Sequence, residues 1–551
     1  MNITRRSLIK GISGAAAAGA AATTTAVGAA LDVPIKETDQ VTKALPGVTR
    51  RAEEAYVRRV RAAGANVLDV VGQAAQAVNT DETALPGYVG NFSKTLPHNE
   101  LGEVDPVAYE ALVDGLDRDD MSGVILSPQA ERKLANPSAA RSFDISGGDA
   151  HSTRIIPSPS LTSAHGAAEM IEVYWQALTR DVPFADYSTS ALIADAAADL
   201  NMASYPIGPR DGGLVTADTI FRANTLGDLD GPYISQLLLQ PINYGAGTIH
   251  QRYRAPVVGS DFMDSFDEYL AIQNGANPTR RETFGPKRYI RTNRDLANYV
   301  HNDVLFQAYY NGAMILLGQG GVITSNSPFA GSPVEGGFVT FGGPDLLNTV
   351  VMAARMALTG AWYQKWLQRK LRPEAFGARI DVQRRGMADY GIHSDVINSA
   401  AVDAVVSAQG NALLSQAFPE GSPTHPAYPA GHACVAGACA TVLKAWVNED
   451  AEFANPMVPS ADGTSLQPFD GPPLTLMGEI NKLANNISIG RNAAGVHYRT
   501  DGEQGMLAGE QQAIALLRDQ TLMYTTPFDG FDLTRFDGTP IRIADGQILQ
   551  V

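Results

Sequence analysis

Apolar positions recur at helical spacing along most of the chain. An apolar stripe runs through residues 49–78, and the same three-to-four-residue rhythm returns over 164–179, 190–202 and 260–274. The strongest core helix is predicted over 295–319, where Leu296, Val300, Val304, Leu305, Ala308, Tyr309, Ala313 and Leu316 keep the repeat. Further helices are expected over 346–371, 393–418, 432–447, 473–489 and 500–521. Two-residue alternation is scarce, but Asp529-Gly530 and Asp537-Gly538 predict hairpin turns in a small terminal β element. The pattern therefore predicts a mainly α protein of packed helix bundles, with minor β elements near the C-terminus. No linker interrupts it, so residues 31–551 read as one large domain whose active-site bundle lies in about 290–521.

Composition adds to this. A chain of 551 residues with 44% apolar content can bury a large core, and its 53 glycines and 32 prolines match long turn-rich connections such as 206–254. A net charge of −16 argues against nucleic acid as a partner. It leaves room for a local cluster of bases around one anion, because net charge governs steering more than any single site. The two cysteines, Cys434 and Cys439, would lie about 140° apart on a helix, which fits buried core positions better than a disulfide or a metal pair. At the start, Thr4-Arg5-Arg6-Ser7-Leu8-Ile9-Lys10 precedes an Ala/Gly/Thr-rich stretch, so residues 1–30 resemble a twin-arginine export signal. The expected location is periplasmic or extracellular. No later stretch has 18 uninterrupted apolar residues, so no membrane association is expected after export.

Three segments carry candidate chemistry. Lys365 and Arg372 are seven apart, which on one helix sends both cationic side chains from one face, with Pro373 ending or kinking that helix. A planar guanidinium fork and an ammonium suit a tetrahedral oxyanion, although such a pair alone is usually a solvated helix face. Pro429-Ala430-Gly431-His432 stands before an apolar helix, where free amides bind anions, Gly431 allows close approach and His432 can exchange a proton. Arg491 precedes His497 by six residues, with Gly490 and Gly495 permitting a tight turn. His497 could serve as a nucleophile or as a metal ligand, and Arg491 as a third cation.

In this order, Lys-x6-Arg-Pro, Pro-x-Gly-His and Arg-x5-His resemble the signature shared by type 2 phosphatidic acid phosphatase-like acid phosphatases and vanadium-dependent haloperoxidases. The resemblance runs from Trp362 to Asp501. His425, seven before His432, is similar to a bromoperoxidase position that is aromatic in chloroperoxidases. Trp362 resembles the tryptophan lining the halide side, and the segment around His301, Asp303 and Leu305 resembles a helix whose Asp pairs with the second arginine of the site. The resemblance implies vanadate as cofactor, with His497 on vanadium and Lys365, Arg372, Arg491 and the Gly431 amide on its oxygens. It implies His432 as acid–base residue, Lys365 as the group polarising bound peroxide, and Asp303 as the residue holding Arg491. Hydrogen peroxide, bromide or iodide, and a small organic acceptor would be the reactants, and the enzyme would be a homo-oligomer, dimer or larger. The alternative is a secreted acid phosphatase forming a phosphohistidine at His497. Three departures stand out: Ala430 where the pattern has Ser, Gly490 where the phosphatase pattern has Ser, and a Lys365–Arg372 interval one residue shorter than in algal bromoperoxidases. The other histidines, His301 among them, are read as structural.

Overall fold

The computed structural model describes residues 48–71, 73–319 and 326–551, so the export-signal reading of residues 1–30 lies outside the described residues. The helices longer than two turns are α1 (Val48–Val70), α2 (Pro106–Arg118), α3 (Ala164–Leu178), α4 (Ala191–Met202), α5 (Phe266–Gln273), α6 (Asn293–Asn302), α7 (Gln307–Gly318), α8 (Gly343–Gln368), α9 (Pro373–Arg384), α10 (Ala400–Gln409), α11 (Gly431–Trp446), α12 (Leu476–Ala493) and α13 (Arg499–Thr521). The β content is a C-terminal antiparallel sheet of Phe531–Thr534, Pro540–Ala544 and Gln547–Gln550, plus three two-stranded pairs elsewhere among the described residues. The mainly helical reading holds. Among the described residues, no helix is long and apolar enough to cross a membrane.

α11 is the axis of the C-terminal bundle, buried along nearly its whole length between α8, α12 and α13. Its sequence of Gly, Ala and Cys lets neighbours come close enough that backbones touch. A Cβ on Gly437 would fall 2.0 Å from the Met506 carbonyl oxygen, and one on Gly509 would fall 1.9 Å from that of Cys434. Both cysteines are buried and free in this helix, as expected. A second core joins α3, α4, α9 and α10. The chain thus leaves the C-terminal bundle after α8, packs against the N-terminal half, and returns at α11, which places the end of α8 where the two cores meet.

Several expected boundaries change. The helix predicted over 295–319 is two helices, because the chain is extended at Asp303 (φ −76, ψ 151) before α7 begins. The helix predicted over 346–371 ends at Gln368, where Arg369 turns left-handed (φ 46) and its amide caps the Lys365 carbonyl. The stretch 393–418 holds only a single turn, Ser394–Ile397, and α10, which stops at the left-handed Gly410 (φ 80). Asp537-Gly538 lies in a hairpin turn as predicted, whereas Asp529-Gly530 leads into the first strand and the second turn uses Asp545-Gly546.

Candidate active site

Lys365 and Arg372 do not share a helix face, contrary to the sequence expectation. Lys365 projects from the last turn of α8, and Arg372 is extended (φ −82, ψ 153) as the residue before α9, with Pro373 opening that helix. Main-chain carbonyls hold both. Lys365 Nζ donates to the carbonyls of Pro426 and Ala427, each at 2.9 Å. Arg372 donates to the carbonyls of His425 at 2.9 Å and Val496 at 2.7 Å.

Arg491 lies inside α12, close to its end, and donates to the Val300 carbonyl at 2.7 Å. Its guanidinium stands 5.4 Å from the centre of the Phe418 ring, and its Nε has no hydrogen-bond partner among the described residues. Gly495, with φ +84, makes the turn that returns the chain to His497. Gly490 serves packing instead of that turn: a Cβ there would press within 3.0 Å of Leu296 and 3.2 Å of Val300.

His497 is held from both sides. Its Nδ1 lies 2.7 Å from a carboxylate oxygen of Asp501, and its Nε2 lies 3.0 Å from an Arg372 guanidinium nitrogen. A carboxylate accepts and a guanidinium only donates, so Nδ1 carries the proton and Nε2 presents a lone pair. That is the tautomer a metal ligand or a nucleophile needs.

Gly431 begins α11, preceded by Ala430, whose amide donates to the Asp501 carbonyl at 2.8 Å. A Cβ on Gly431 would sit 3.5 Å from the Trp362 ring and 3.9 Å from Lys365 Cε, so the helix start, the tryptophan and the lysine adjoin. Trp362 packs on His425 with ring centres 4.7 Å apart, and its indole N–H donates to the Ala135 carbonyl. His425 Nδ1 lies 2.9 Å from Arg372. His432 is more open than this cluster, with 19% of its side chain exposed, and its Nε2 lies 3.1 Å from Asp303. Asp303 was expected to hold Arg491. Its hydrogen bond goes to His432 instead, because the helix break turns the carboxylate toward the start of α11, while Arg491 stays near enough to act by charge.

The cluster is short of negative charge. Burial first, and then the neighbouring Arg372, press the Lys365 ammonium well below its ordinary range. Burial lowers Arg372 to about 9 and Arg491 to about 10. Burial and the surrounding cations also lower His425 and His497 well below the imidazole range. An anion placed among Lys365, Arg372 and Arg491 reverses these penalties, and the unpartnered Arg491 Nε and the Gly431 helix start are further donors for it. Among the described residues, no group of three or more His, Cys, Asp or Glu side chains could hold a metal ion. The donor set thus fits a metal oxyanion taking one imidazole ligand, not a bare cation.

Two contributors lay outside the sequence reading. Asp501 had a visible signal, since His497-x-x-x-Asp501 is a one-turn spacing at a helix start. His301 was read as structural; it stacks on Phe418 at 3.8 Å, bonds Glu420 at 2.7 Å, and is raised to about 9, burial being outweighed by Glu282 and Glu420. It thereby secures the ring that Arg491 rests against.

The chain is similar to several known proteins over most of its length. Residues 345–523 match the family model described as the VCPO second helical-bundle domain. A vanadium-dependent bromoperoxidase of Ascophyllum nodosum is 38% identical, over 90% of this chain and 92% of that protein. One of Corallina pilulifera is 34% identical, over 89% and 96%. A solved homohexameric vanadate-dependent bromoperoxidase from Ascophyllum nodosum superposes with a TM-score of 0.87 at 29% identity, covering 94% of this chain and 96% of that one. Identity at this level over nearly the whole length places the chain in a family: it belongs to the vanadium-dependent bromoperoxidases.

Proposed function

We propose that the protein oxidises bromide, and iodide, with hydrogen peroxide to hypohalous acid, which halogenates small organic acceptors, and that vanadate is its cofactor. The observation that carries this reading is three buried cations, held by carbonyls, around an imidazole whose Nε2 carries a lone pair turned toward Arg372. Vanadate would supply a Lewis-acidic vanadium(V) centre that activates peroxide without changing oxidation state.

His497 would be its ligand through Nε2, with Asp501 keeping the proton on Nδ1. Lys365, Arg372, Arg491 and the Gly431 amide would bind its oxygens, as charges already gathered at the site, with Arg372 exchanging its contact with Nε2 for an oxygen. His432, the least buried histidine of the site, would take a proton from incoming peroxide and return it, with Asp303 orienting its ring. Lys365, fixed by two carbonyls, would place its positive charge beside hydrogen peroxide and polarise it. Trp362 and His425 would form the side from which halide approaches.

We read residues 31–551 as one domain with its active-site bundle in about 290–521, exported by the twin-arginine pathway to the periplasm or beyond. Assembly into a homo-oligomer is supported by the homohexameric relative. The relatives named above are peroxidases, and nothing in the site favours the phosphatase. The test is bromination of a β-diketone dye by apo-protein, by vanadate-loaded protein, and by vanadate-loaded protein in excess phosphate. Activity is expected only with vanadate and falls as phosphate competes. Turnover of p-nitrophenyl phosphate without bromination under any loading would overturn the reading.

A further inference from the structure

Behind His497 and Asp501 lies a buried ion pair of Lys370 and Glu169 that reaches into the N-terminal half and is used by none of the roles above. Lys370 Nζ stands between two fully buried carboxylates, 3.5 Å from Asp501 and 3.4 Å from Glu169 of α3. It also lies over the Tyr498 ring, 4.0 Å from its centre. Glu169 accepts the Thr500 amide at 2.5 Å, in the first turn of α13, and Asp501 belongs to the same turn. Both carboxylates therefore face the positive end of α13, with one ammonium bridging them.

The carboxylate of Asp501 is divided between its two oxygens. One takes the imidazole Nδ1 at 2.7 Å and the Tyr498 amide at 3.3 Å. The other has no hydrogen-bond partner among the described residues and faces Lys370 as an ion pair at 3.5 Å. Without Lys370 that oxygen would lose its ion-pair partner, leaving only Lys365 acting on it by charge from farther off, and Asp501 and Glu169 would repel each other. Turning the carboxylate away would release Nδ1 and with it the orientation of Nε2.

We propose that Lys370 and Glu169 are positioning residues for His497: they lock Asp501 against Nδ1 and thereby set how tightly Nε2 binds the oxyanion's metal. Glu169 makes helix α3, far away in sequence, part of the support of the site. The inference rests on the reading of His497 as the vanadium ligand. Partners that orient a metal-bound histidine typically change metal affinity by about 10- to 100-fold when lost.

The test is equilibrium dialysis of the apo full chain against orthovanadate, with vanadium counted on each side, for wild type, Lys370→Met, Lys370→Arg, Glu169→Gln and His497→Ala. Lys370→Met is expected to raise the vanadate Kd at least tenfold and Glu169→Gln by a smaller factor, with Lys370→Arg restoring most of the loss. Circular dichroism confirms that each variant is folded. Should Lys370→Met fail to fold, Glu169→Gln and Lys370→Arg still decide the matter. Folded variants with a Kd within twofold of wild type, beside a His497→Ala that no longer binds, would overturn the positioning role alone. A His497→Ala that binds vanadate like wild type would overturn the ligand assignment, and the positioning role with it.

Discussion

Arg491 and Arg499 are both buried, one near the end of α12 and the other at the start of α13, and the protein treats them in opposite ways. Burial weakens the guanidinium of each, but Glu172 forms a buried ion pair with Arg499 and drives its affinity for protons above that of a free arginine. Arg491 has a carbonyl and a phenyl ring against it, with Asp303 and Glu420 acting only from farther away, and it is lowered to about 10. Lys482, paired with Glu479 at 2.7 Å, belongs with Arg499, whereas Lys365 and Arg372 belong with Arg491. A carbonyl orients a cation without neutralising it. The molecule thus uses paired charges where it needs structure and withholds the partner where it needs an anion.

The sharpest way to break the contrast is to remove His432, the proposed proton carrier, while leaving the cations in place. His432→Ala should lower the bromoperoxidase kcat by about 100- to 10,000-fold, with vanadate Kd near wild type, read by dye bromination and equilibrium dialysis. Deleting one cation should instead strike binding. Lys365→Met is expected to weaken vanadate by about 10- to 150-fold, the equivalent of one charge-assisted hydrogen bond.

On the paired side, Glu479→Gln leaves Lys482 buried without its carboxylate and should cost about 3–5 kcal/mol in denaturant unfolding, with vanadate affinity unchanged. An equal loss of vanadate affinity in that variant would erase the distinction between the two classes. Saturating the site should stabilise the apo-protein, by about 2.7 kcal/mol at one hundred times Kd, and calorimetry with vanadate and then with phosphate would measure it.

The smallest effect concerns pH. Burial and then Arg491 lower the His432 pKa, while Asp303 raises it. Asp303→Asn should therefore move the acid limb of kcat/KM to lower pH, and an unmoved limb would remove His432 from that titration. The sign for stability follows from the same depression. The unfolded imidazole takes up its proton first on acidification, so this group's contribution is complete above about 6.5 and is lost as pH falls through its lower folded value.

What the sequence revealed and what it hid have separate physical causes. Pro429-Ala430-Gly431-His432 and the return from Arg491 through Gly495 to His497 are local devices, written in glycine and in the onset of apolar helices, and they were legible. The break after Gln368 was hidden because Arg369 adopts the left-handed conformation with no glycine to mark it. The break at Asp303 was hidden because Val304 and Leu305 continue the helical apolar rhythm across it. Pairings such as His432 with Asp303 join residues far apart in the chain, and the carbonyls of Val300, Pro426 and Val496 act through main-chain atoms that every residue shares.

The glycine and alanine seam between α11 and α13 has a chemical consequence beyond geometry. A protein that releases hypobromous acid lives beside a reagent that attacks sulfur. Along the seam the closest approaches are Gly437 to the backbone of Met506 and Gly509 to the backbone of Cys434, so main chain makes the joint while both sulfur side chains lie beside it. That sulfur is shut in: Cys434 and Cys439 are fully buried, Met506 is 4% exposed, and burial pushes the Cys434 thiol to about 12, leaving almost no reactive thiolate at neutral pH. The helix that begins at Gly431 and His432 is thereby backed by a joint whose sulfur is kept from solvent by packing alone.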